Sequence, residues 1–230
     1  MLILPILLIL VAIGISRFAM QRYEQGIDLG AKQTVPGAQT AAEAAREFLD
    51  ANDAADVKIV EHNAMVSDYF DTSRRVLFLN RGVMNGTDAG SWSIALHEAA
   101  HATQQGEEGK ALKWRMGNIR LARYAPALIG LLAIAFIVMK RLQPRHALYV
   151  CGLAFFLIAM LNAMSMAVEY NASQRVMAWL ERKLKRHSNT VELFQQILPR
   201  VAWRDTGVLI RSPLYLLFGM LPVGGRLRPR

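Results

Sequence analysis

Three uncharged apolar runs limit what this 230-residue chain can fold into. They cover residues 2–15, 124–139 and 147–168 of the sequence. A helix needs about 20 apolar residues to cross a bilayer, and about 17 is the lower limit. The first run reaches that length near Met20 if the Arg17 side chain extends to the lipid–water interface. We therefore expect about three transmembrane helices, the first as an uncleaved anchor, because no basic segment precedes it.

The basic residues crowd next to these apolar runs. Lysine and arginine number 27 against 18 acidic residues, which gives a formal net charge of +9. Positive charge beside membrane-crossing segments is typical of contact with anionic lipid headgroups. Basic residues are not interleaved with aromatic ones, so a lipid bilayer is the predicted partner and nucleic acid is not. The single cysteine, Cys151, excludes a disulfide framework and a cysteine-based zinc site.

The segment after the first run begins with a predicted linker and a predicted helix. Residues 21–36 are polar and contain glycine, which is typical of a linker. Thr40 and Glu43 then have the spacing of a capping box, in which each side chain binds a backbone N–H at a helix start. A helix is therefore expected over Ala41–Leu49.

Two short strands are predicted after that helix. Val57–Glu61 and Arg75–Leu79 are rich in β-branched and other apolar residues, and a turn-rich connection over Ser67–Asp71 lies between them. One hypothesis is that Arg75–Leu79 is an edge strand that binds an extended substrate by strand addition. It requires that this strand is not already paired on both sides.

The helix predicted over Trp92–Gln105 carries the pattern HEAAH at residues 97–101. Histidines four residues apart lie on one face of a helix, so His97 and His101 can bind one metal ion. Glu98 can then reach a water molecule beside the metal, as in the HExxH arrangement of zinc hydrolases, where this carboxylate is the general base. The alternative is an amphipathic helix with two surface histidines. The small residues between the histidines argue against it, because they let another segment approach the metal-binding face.

Two histidines need a third protein ligand, which the rest of the chain has to supply. The runs 124–139 and 147–168 are joined by a short basic turn, so they are expected to form an antiparallel hairpin that returns the chain to the same membrane face. Glu169 is the first charged residue after that hairpin. It is therefore a candidate third ligand that leaves a fourth position open for water. The alternative is an ordinary interfacial carboxylate paired with Arg175.

Other polar residues are predicted to lie outside the site. His62 and His187 have no ligand spacing, and His146 lies in the hairpin turn on the opposite face. Asn162 and Ser165 lie inside the third apolar run, where polar side chains usually form hydrogen bonds between helices.

Taken together, these motifs resemble the bacterial membrane-bound neutral zinc metallopeptidases of the YugP-like family. The resemblance extends from about Ala41 to about Leu180 and is carried by the HEAAH helix, Asp68–Asp71, Leu112–Arg115, the apolar hairpin and the element Glu-Tyr-Asn-Ala-Ser at 169–173. That last element is also similar to the Glu-x-x-Ala-Asp element of CAAX-prenyl-type and heat-shock membrane peptidases. The resemblance implies Zn2+ as cofactor, His97, His101 and Glu169 as its ligands, and Glu98 as catalytic base.

The chain departs from the family pattern at two positions that bear on the site. Tyr69 stands where the family more often has histidine, so no catalytic role is assigned to it. Ser173 stands where the related peptidases have aspartate, which leaves open how a zinc-binding histidine is oriented.

The sequence as a whole predicts an α+β membrane protein that is mainly helical, with about three transmembrane helices and a small zincin-like α+β unit. The predicted segments are an N-terminal anchor at 1–20, a zincin-like catalytic unit at 21–123, a transmembrane hairpin at 124–168, a helical segment with the third zinc ligand and a basic surface at 169–212, and an apolar and basic tail at 213–230.

The predicted function is a zinc-dependent membrane peptidase, most simply an endopeptidase, that acts on protein or peptide substrates. The alternative is a non-catalytic membrane adaptor or scaffold that keeps a structural metal. The distribution of basic residues around the apolar runs favours the bacterial inner membrane, with the catalytic face in the cytoplasm. Substrate identity and oligomeric state are left undetermined.

Overall fold

The computed structural model describes residues 2–37, 39–62 and 68–219. Within these residues the chain is mainly helical and contains one small sheet, so the predicted fold class is confirmed. The elements in chain order are α1 Ile3–Ala31, α2 Ala41–Asp50, β1 Lys58–His62, β2 Tyr69–Asp71, β3 Val76–Asn80, α3 Arg81–Asn85, α4 Ala89–His101, α5 Gly106–Val138, α6 Pro144–Met164, α7 Met166–Lys183, α8 Ser188–Val201, a 3-10 helix Arg204–Leu209 and α9 Ser212–Gly219.

The described residues form two compact units, each assembled from separate stretches of chain. The first, here called the helical unit, comprises the described parts of Met1–Gln21, Trp114–Met166 and Trp203–Pro222. The second, here called the mixed unit, comprises the described parts of Arg22–Lys113 and Ala167–Ala202. The division into five consecutive segments stays a prediction.

Among the described residues, three helical stretches are long and apolar enough to cross a membrane, as predicted. They are Ile3–Ala31, Gly106–Val138 and Pro144–Lys183, the last interrupted at Ser165 between α6 and α7. Their apolar side chains remain largely exposed at positions such as Ile134, which is 62% accessible. Such exposure over whole helices is typical of lipid contact.

The predicted linker at 21–36 is wrong for most of its length, because α1 continues as a helix to Ala31. Tyr23, Ile27 and Leu29 on this extension pack against the hydrophobic core of the mixed unit. Gly30 permits a close approach to α4, since a Cβ atom added there would lie 2.5 Å from the Gly90 nitrogen. Tertiary packing thus extends a helix through a polar stretch that has no strong helical pattern of its own.

The sheet has the strand order β1-β3-β2, with β1 parallel and β2 antiparallel to β3. The two predicted strands are confirmed as β1 and β3. The connection predicted to be turn-rich contains β2 at Tyr69–Asp71, while residues 63–67 lie outside the described part of the chain. Since β3 pairs on both sides, the hypothesis that Arg75–Leu79 is a free edge for a substrate is wrong.

Helix α2 begins with the predicted capping box. The Thr40 hydroxyl accepts a hydrogen bond from the Glu43 N–H at 3.3 Å, and the Glu43 carboxylate accepts one from the Thr40 N–H at 2.8 Å. Two donors at the helix start are thereby satisfied. The buried face of α2, with Phe48 and Leu49 inaccessible to solvent, then packs in the core that also contains α4.

Helix α8 packs in the protein core of the mixed unit. Its apolar residues Phe194, Ile197, Leu198 and Val201 are at most 1% exposed and belong to the same core cluster as α4. The sequence predicts that the basic region containing this helix lies on the membrane surface. The apolar face of α8 is covered by protein, and the position of the basic residues of this region at the membrane surface stays a prediction.

The helical unit confirms the prediction for the two polar residues of the third apolar run. Arg115 on α5 is fully buried, and its guanidinium donates to the Asn162 carbonyl at 2.8 Å and to the Ser165 hydroxyl at 2.7 Å. It also donates to the side-chain oxygen of Asn162. These polar residues therefore form hydrogen bonds between α5 and the end of α6. Of the predicted tail, only α9 falls within the described residues, and 220–230 lie outside them.

Candidate metal centre

Helix α4 carries the HEAAH residues and lies in the core of the mixed unit. Its start is capped by Asp88, whose carboxylate accepts hydrogen bonds from the Ser91 N–H at 2.9 Å and the Ser91 hydroxyl at 2.7 Å. The Trp92 indole is fully buried and donates to the Gln39 carbonyl at 3.0 Å. The helix is therefore held firmly at its first turn, and its last turn presents the motif inside the protein and not on its surface.

The two motif histidines and Glu169 converge on one point. The Oε2 atom of Glu169, at the start of α7, lies 2.9 Å from the Nε2 atom of His97 and 3.4 Å from that of His101. Ligands bound at about 2.0–2.2 Å to a tetrahedral zinc ion lie about 3.3–3.6 Å from one another. A small outward shift of these three atoms is enough to admit the ion. All three side chains are buried, with relative exposures of 1%, 6% and 4%.

The orientation of His97 is set by Ser173 on α7. The Ser173 hydroxyl donates its hydrogen to the Leu198 carbonyl at 3.0 Å, so its oxygen is left to accept from the Nδ1 atom of His97 at 3.1 Å. With the hydrogen on Nδ1, the lone pair of the neutral imidazole is on Nε2, the atom that faces Glu169. Ser173, which stands where the related peptidases have aspartate, thus provides the hydrogen bond that orients His97.

The orientation of His101 is set by Gln104, a residue that the sequence reasoning missed. The Gln104 side-chain nitrogen donates to the Val168 carbonyl at 2.9 Å and to the Asn171 side-chain oxygen at 2.8 Å. Its oxygen therefore accepts from the Nδ1 atom of His101, 2.8 Å away. The Nε2 atom is again left facing Glu169. The only signal in the sequence was the position of Gln104, three residues after His101 at the end of the helix.

Glu98 lies beside the two histidines but has a different partner. Ligand atoms of His97, Glu98 and His101 all lie within 4.8 Å of one another. The Oε2 atom of Glu98 accepts a hydrogen bond from the Phe70 backbone N–H of β2 at 3.1 Å, and the side chain is 3% exposed. The two carboxylates are thus distinguished by their contacts, since Glu169 faces both imidazoles and Glu98 is held by a backbone amide.

The metal-free site favours a proton on His101. Burial alone lowers the pKa of His101, but the negative charge and hydrogen bond of Glu169 outweigh it and, with Glu98 and Gln104, raise the pKa to about 9. This proton stabilises the metal-free fold below the unfolded-state pKa of 6.5, and the stabilisation is lost as the pH rises through about 9. A metal ion that binds the imidazole must displace the proton, so metal affinity falls as the pH is lowered.

The remaining histidines lie on other elements. His62 is the last residue of β1, where burial lowers its pKa and the nearby Asp68 partly opposes that effect. His146 lies in the first turn of α6, and His187 precedes α8. None of the three belongs to the cluster formed by His97, Glu98 and His101 in the described residues.

The fold and the site together define a class of protein. The protein is mainly helical and has helices able to cross a membrane. Its buried site contains two histidines with oriented Nε2 atoms and two adjacent carboxylates. This is the donor set of a membrane-bound zinc metalloprotein.

Comparison with known proteins agrees with this class. A family model described as "Putative neutral zinc metallopeptidase" matches residues 1–206, and the chain belongs to this family. The chain is also 29% identical over 171 residues to the "Putative membrane protease YugP" of Bacillus subtilis (strain 168), which covers 74% of each protein. No solved structure matches the chain significantly. The family resemblance and the zinc cofactor predicted from the sequence are thus confirmed.

Proposed function

We propose that the chain is a membrane-bound zinc endopeptidase in which His97, His101 and Glu169 bind the metal and Glu98 is the general base. The observation that carries the proposal is the position of the Glu169 Oε2 atom, which lies 2.9 and 3.4 Å from two Nε2 atoms more than 60 residues earlier in the chain. Membership of a zinc metallopeptidase family and similarity to a protein named as a membrane protease support the reaction class.

The chain's own residues divide the work of peptide hydrolysis. A bound zinc ion supplies Lewis acidity, which polarises the scissile carbonyl and makes a water molecule more acidic. Glu98 accepts the proton of the attacking water and delivers it to the leaving amine. The Phe70 N–H donates a hydrogen bond to the Oε2 atom of Glu98 at 3.1 Å and so holds this carboxylate beside the two histidines. Ser173 and Gln104 keep both imidazoles in the tautomer that binds metal.

Removal of zinc tests the function directly. We expect the purified full-length protein in detergent to cleave members of a mixed peptide library, with new termini identified by mass spectrometry. A chelator should abolish this cleavage, and stoichiometric Zn2+ should restore it. Mg2+ should not, because it prefers an octahedral set of oxygen ligands.

Two outcomes would contradict the proposal. Cleavage that persists in protein shown to contain no zinc would exclude zinc-dependent hydrolysis. Absence of cleavage by zinc-loaded protein, over the whole library and in both detergent and lipid, would favour the non-catalytic adaptor with a structural metal.

We also propose that the catalytic face lies in the cytoplasm, with the membrane being the bacterial inner membrane. Basic residues flank the apolar runs on the side that carries the HEAAH helix and Glu169, namely Arg17, Arg22, Arg120, Arg123 and Arg175. The turn between the second and third runs carries three, namely Lys140, Arg141 and Arg145. The larger number of positive charges predicts the cytoplasmic side.

A topology reporter placed in the turn checks this orientation. Alkaline phosphatase folds only outside the cytoplasm, so a fusion of it after Arg145 should be active. A fluorescent protein that folds only in the cytoplasm should not fluoresce when it is fused at the same position. The opposite pair of signals would reverse the orientation. The same reporters fused after Gln105 provide the internal control and should give the complementary result.

A further inference from the structure

One stripe of helix α7 faces residues 103–108, which include the link from α4 to α5 and the first turn of α5. Val168, Asn171 and Arg175 are spaced three and four residues apart, so they lie on the same side of α7. Each of the three forms hydrogen bonds with residues of 103–108. The stripe begins at the residue before Glu169 and continues along the helix away from the metal centre.

The Asn171 side chain supplies the second acceptor of the Gln104 amide. Its oxygen lies 2.8 Å from the Gln104 nitrogen, which also donates to the Val168 carbonyl at 2.9 Å. Gln104 is only 5% exposed, so its N–H groups need protein acceptors. If the Asn171 amide were turned over, its NH2 group would face that of Gln104, and two donors would meet. The orientation of Asn171 therefore helps to keep the Gln104 oxygen directed at the Nδ1 atom of His101.

The orientation of Asn171 is set by two charged side chains with opposite hydrogen-bonding character. The Glu108 carboxylate offers acceptors, and it accepts from the Asn171 side-chain nitrogen at 3.1 Å. The Arg175 guanidinium offers only donors, and its Nε atom donates to the Asn171 side-chain oxygen at 3.0 Å. Glu108 and Arg175 also form an ion pair with each other. The pair thus holds the Asn171 amide from both ends in one orientation.

The Arg175 guanidinium also holds the backbone beside Gln104. It donates to the carbonyl and to the hydroxyl of Thr103, both at 3.4 Å. The Arg175 and Glu108 side chains are 36% and 42% exposed, whereas Gln104 is buried. A continuous series of hydrogen bonds therefore runs from an ion pair at the protein surface to a histidine of the metal centre.

We propose that the ion pair of Arg175 and Glu108 positions the metal centre for zinc binding. It acts through Asn171 and Gln104 on the tautomer of His101. With these contacts in place, the hydrogen of the neutral imidazole stays on Nδ1 and the lone pair of Nε2 faces Glu169.

Loss of the ion pair lets the two amides take other orientations, so zinc binding must first restore the one that His101 requires. The expected effect is on metal affinity, because none of the charged side chains touches the metal ligands directly. This inference rests on the proposed function, since it takes His101 as a zinc ligand.

Zinc affinity of the full-length protein in detergent, measured by competition with a chromophoric chelator, tests the inference without requiring cleavage. Arg175→Gln should weaken zinc binding by about three- to tenfold, somewhat less than the loss of a direct partner of a ligand. The matched control is Arg46→Gln in α2. The Arg46 side chain is similarly exposed, at 34%, and likewise binds backbone carbonyl groups and a carboxylate. Its variant should keep the wild-type affinity within about twofold, because distant sites act independently.

Two substitutions of Asn171 test the orientation itself. Asn171→Leu has a similar size but no acceptor, so zinc binding should be about tenfold weaker. Asn171→Asp keeps an oxygen that accepts from Gln104 and Arg175, so zinc should bind at least as tightly as in the wild type. A merely structural role predicts a loss in both variants. Equal losses in the two would therefore overturn the inference.

A double variant tests the route by which the ion pair acts. Gln104→Ala removes the contact to His101 and should weaken zinc binding by about 10- to 100-fold. Adding Arg175→Gln to it should weaken binding by less than about twofold more, because the two changes interrupt the same series of contacts. Effects that multiply would overturn the inference.

Failure of this inference is distinguishable from failure of the proposed function. Wild-type zinc affinity in both Arg175→Gln and Asn171→Leu would overturn the inference and leave the proposed function standing. A wild-type protein that binds no zinc would overturn both.

Discussion

Replacing Glu98 by glutamine is expected to lower kcat by about 100- to 10,000-fold while leaving one zinc ion bound per chain, because only the proton-accepting group is removed. Glutamine has the same size as glutamate, and its side-chain oxygen can still accept the hydrogen bond that the Phe70 N–H donates at 3.1 Å. The local fold should therefore be preserved, and KM should change much less than kcat.

The control for this variant is Glu107→Gln, which makes the same chemical change at an exposed position on α5. Peptide cleavage and zinc content should be measured on the same preparations of the wild type and both variants. Equal cleavage by the wild type and Glu98→Gln would exclude Glu98 as the base. Loss of zinc from Glu98→Gln would instead show that Glu98 binds the metal. This alternative is concrete, because ligand atoms of Glu98 and the two histidines lie within 4.8 Å of one another.

Replacing Glu169 by glutamine is expected to weaken zinc binding by more than about 100-fold, which exceeds the effect usually caused by losing an outer hydrogen-bond partner of a ligand. The change removes the negatively charged oxygen that lies 2.9 and 3.4 Å from the two imidazole nitrogens. It leaves Ser173 and Gln104 in contact with the histidines, so the imidazoles should remain oriented. The expected cause of the loss is therefore the missing ligand and not a disordered site.

Zinc affinity is measured by competition with a chromophoric chelator, together with the metal content after purification. The matched control, Glu181→Gln, removes a carboxylate from an exposed position on the same helix and should keep the wild-type affinity. Excess Zn2+ should partly restore cleavage in Glu169→Gln but not in Glu98→Gln, because only the second lacks its base. Wild-type zinc affinity in Glu169→Gln would remove Glu169 from the ligand set and with it the proposed metal centre.

Local patterns predicted the elements that carry the motif. The Thr40 capping box and the HEAAH helix depend on residues three or four positions apart, a spacing that the helix itself dictates. The apolar runs predicted the membrane-crossing helices for a similar reason, because length and composition decide whether a segment can remain in lipid. β1 and β3 followed from their β-branched and apolar residues.

Features that depend on distant neighbours were missed or misjudged. β2 is three residues long and exists because β3 lies beside it, so its own sequence looked like a turn. α1 continues to Ala31 because Tyr23, Ile27 and Leu29 find a core to pack against. Gln104 showed no motif of its own, since its contact with His101 depends on two acceptors in α7, the Val168 carbonyl and the Asn171 side-chain oxygen.

The sequence by itself determined that the described residues include three helices long and apolar enough to cross a membrane, and that two histidines share one helical face, because both follow from short-range spacing and apolar length. Only the tertiary structure decided which carboxylate faces both imidazoles and which is held by a backbone amide. It also decided which side chains orient the two rings. These contacts join residues as far as 76 positions apart. They form only where the packing of the helices brings buried polar groups together. Because such groups have no water to bind, they must form hydrogen bonds with one another.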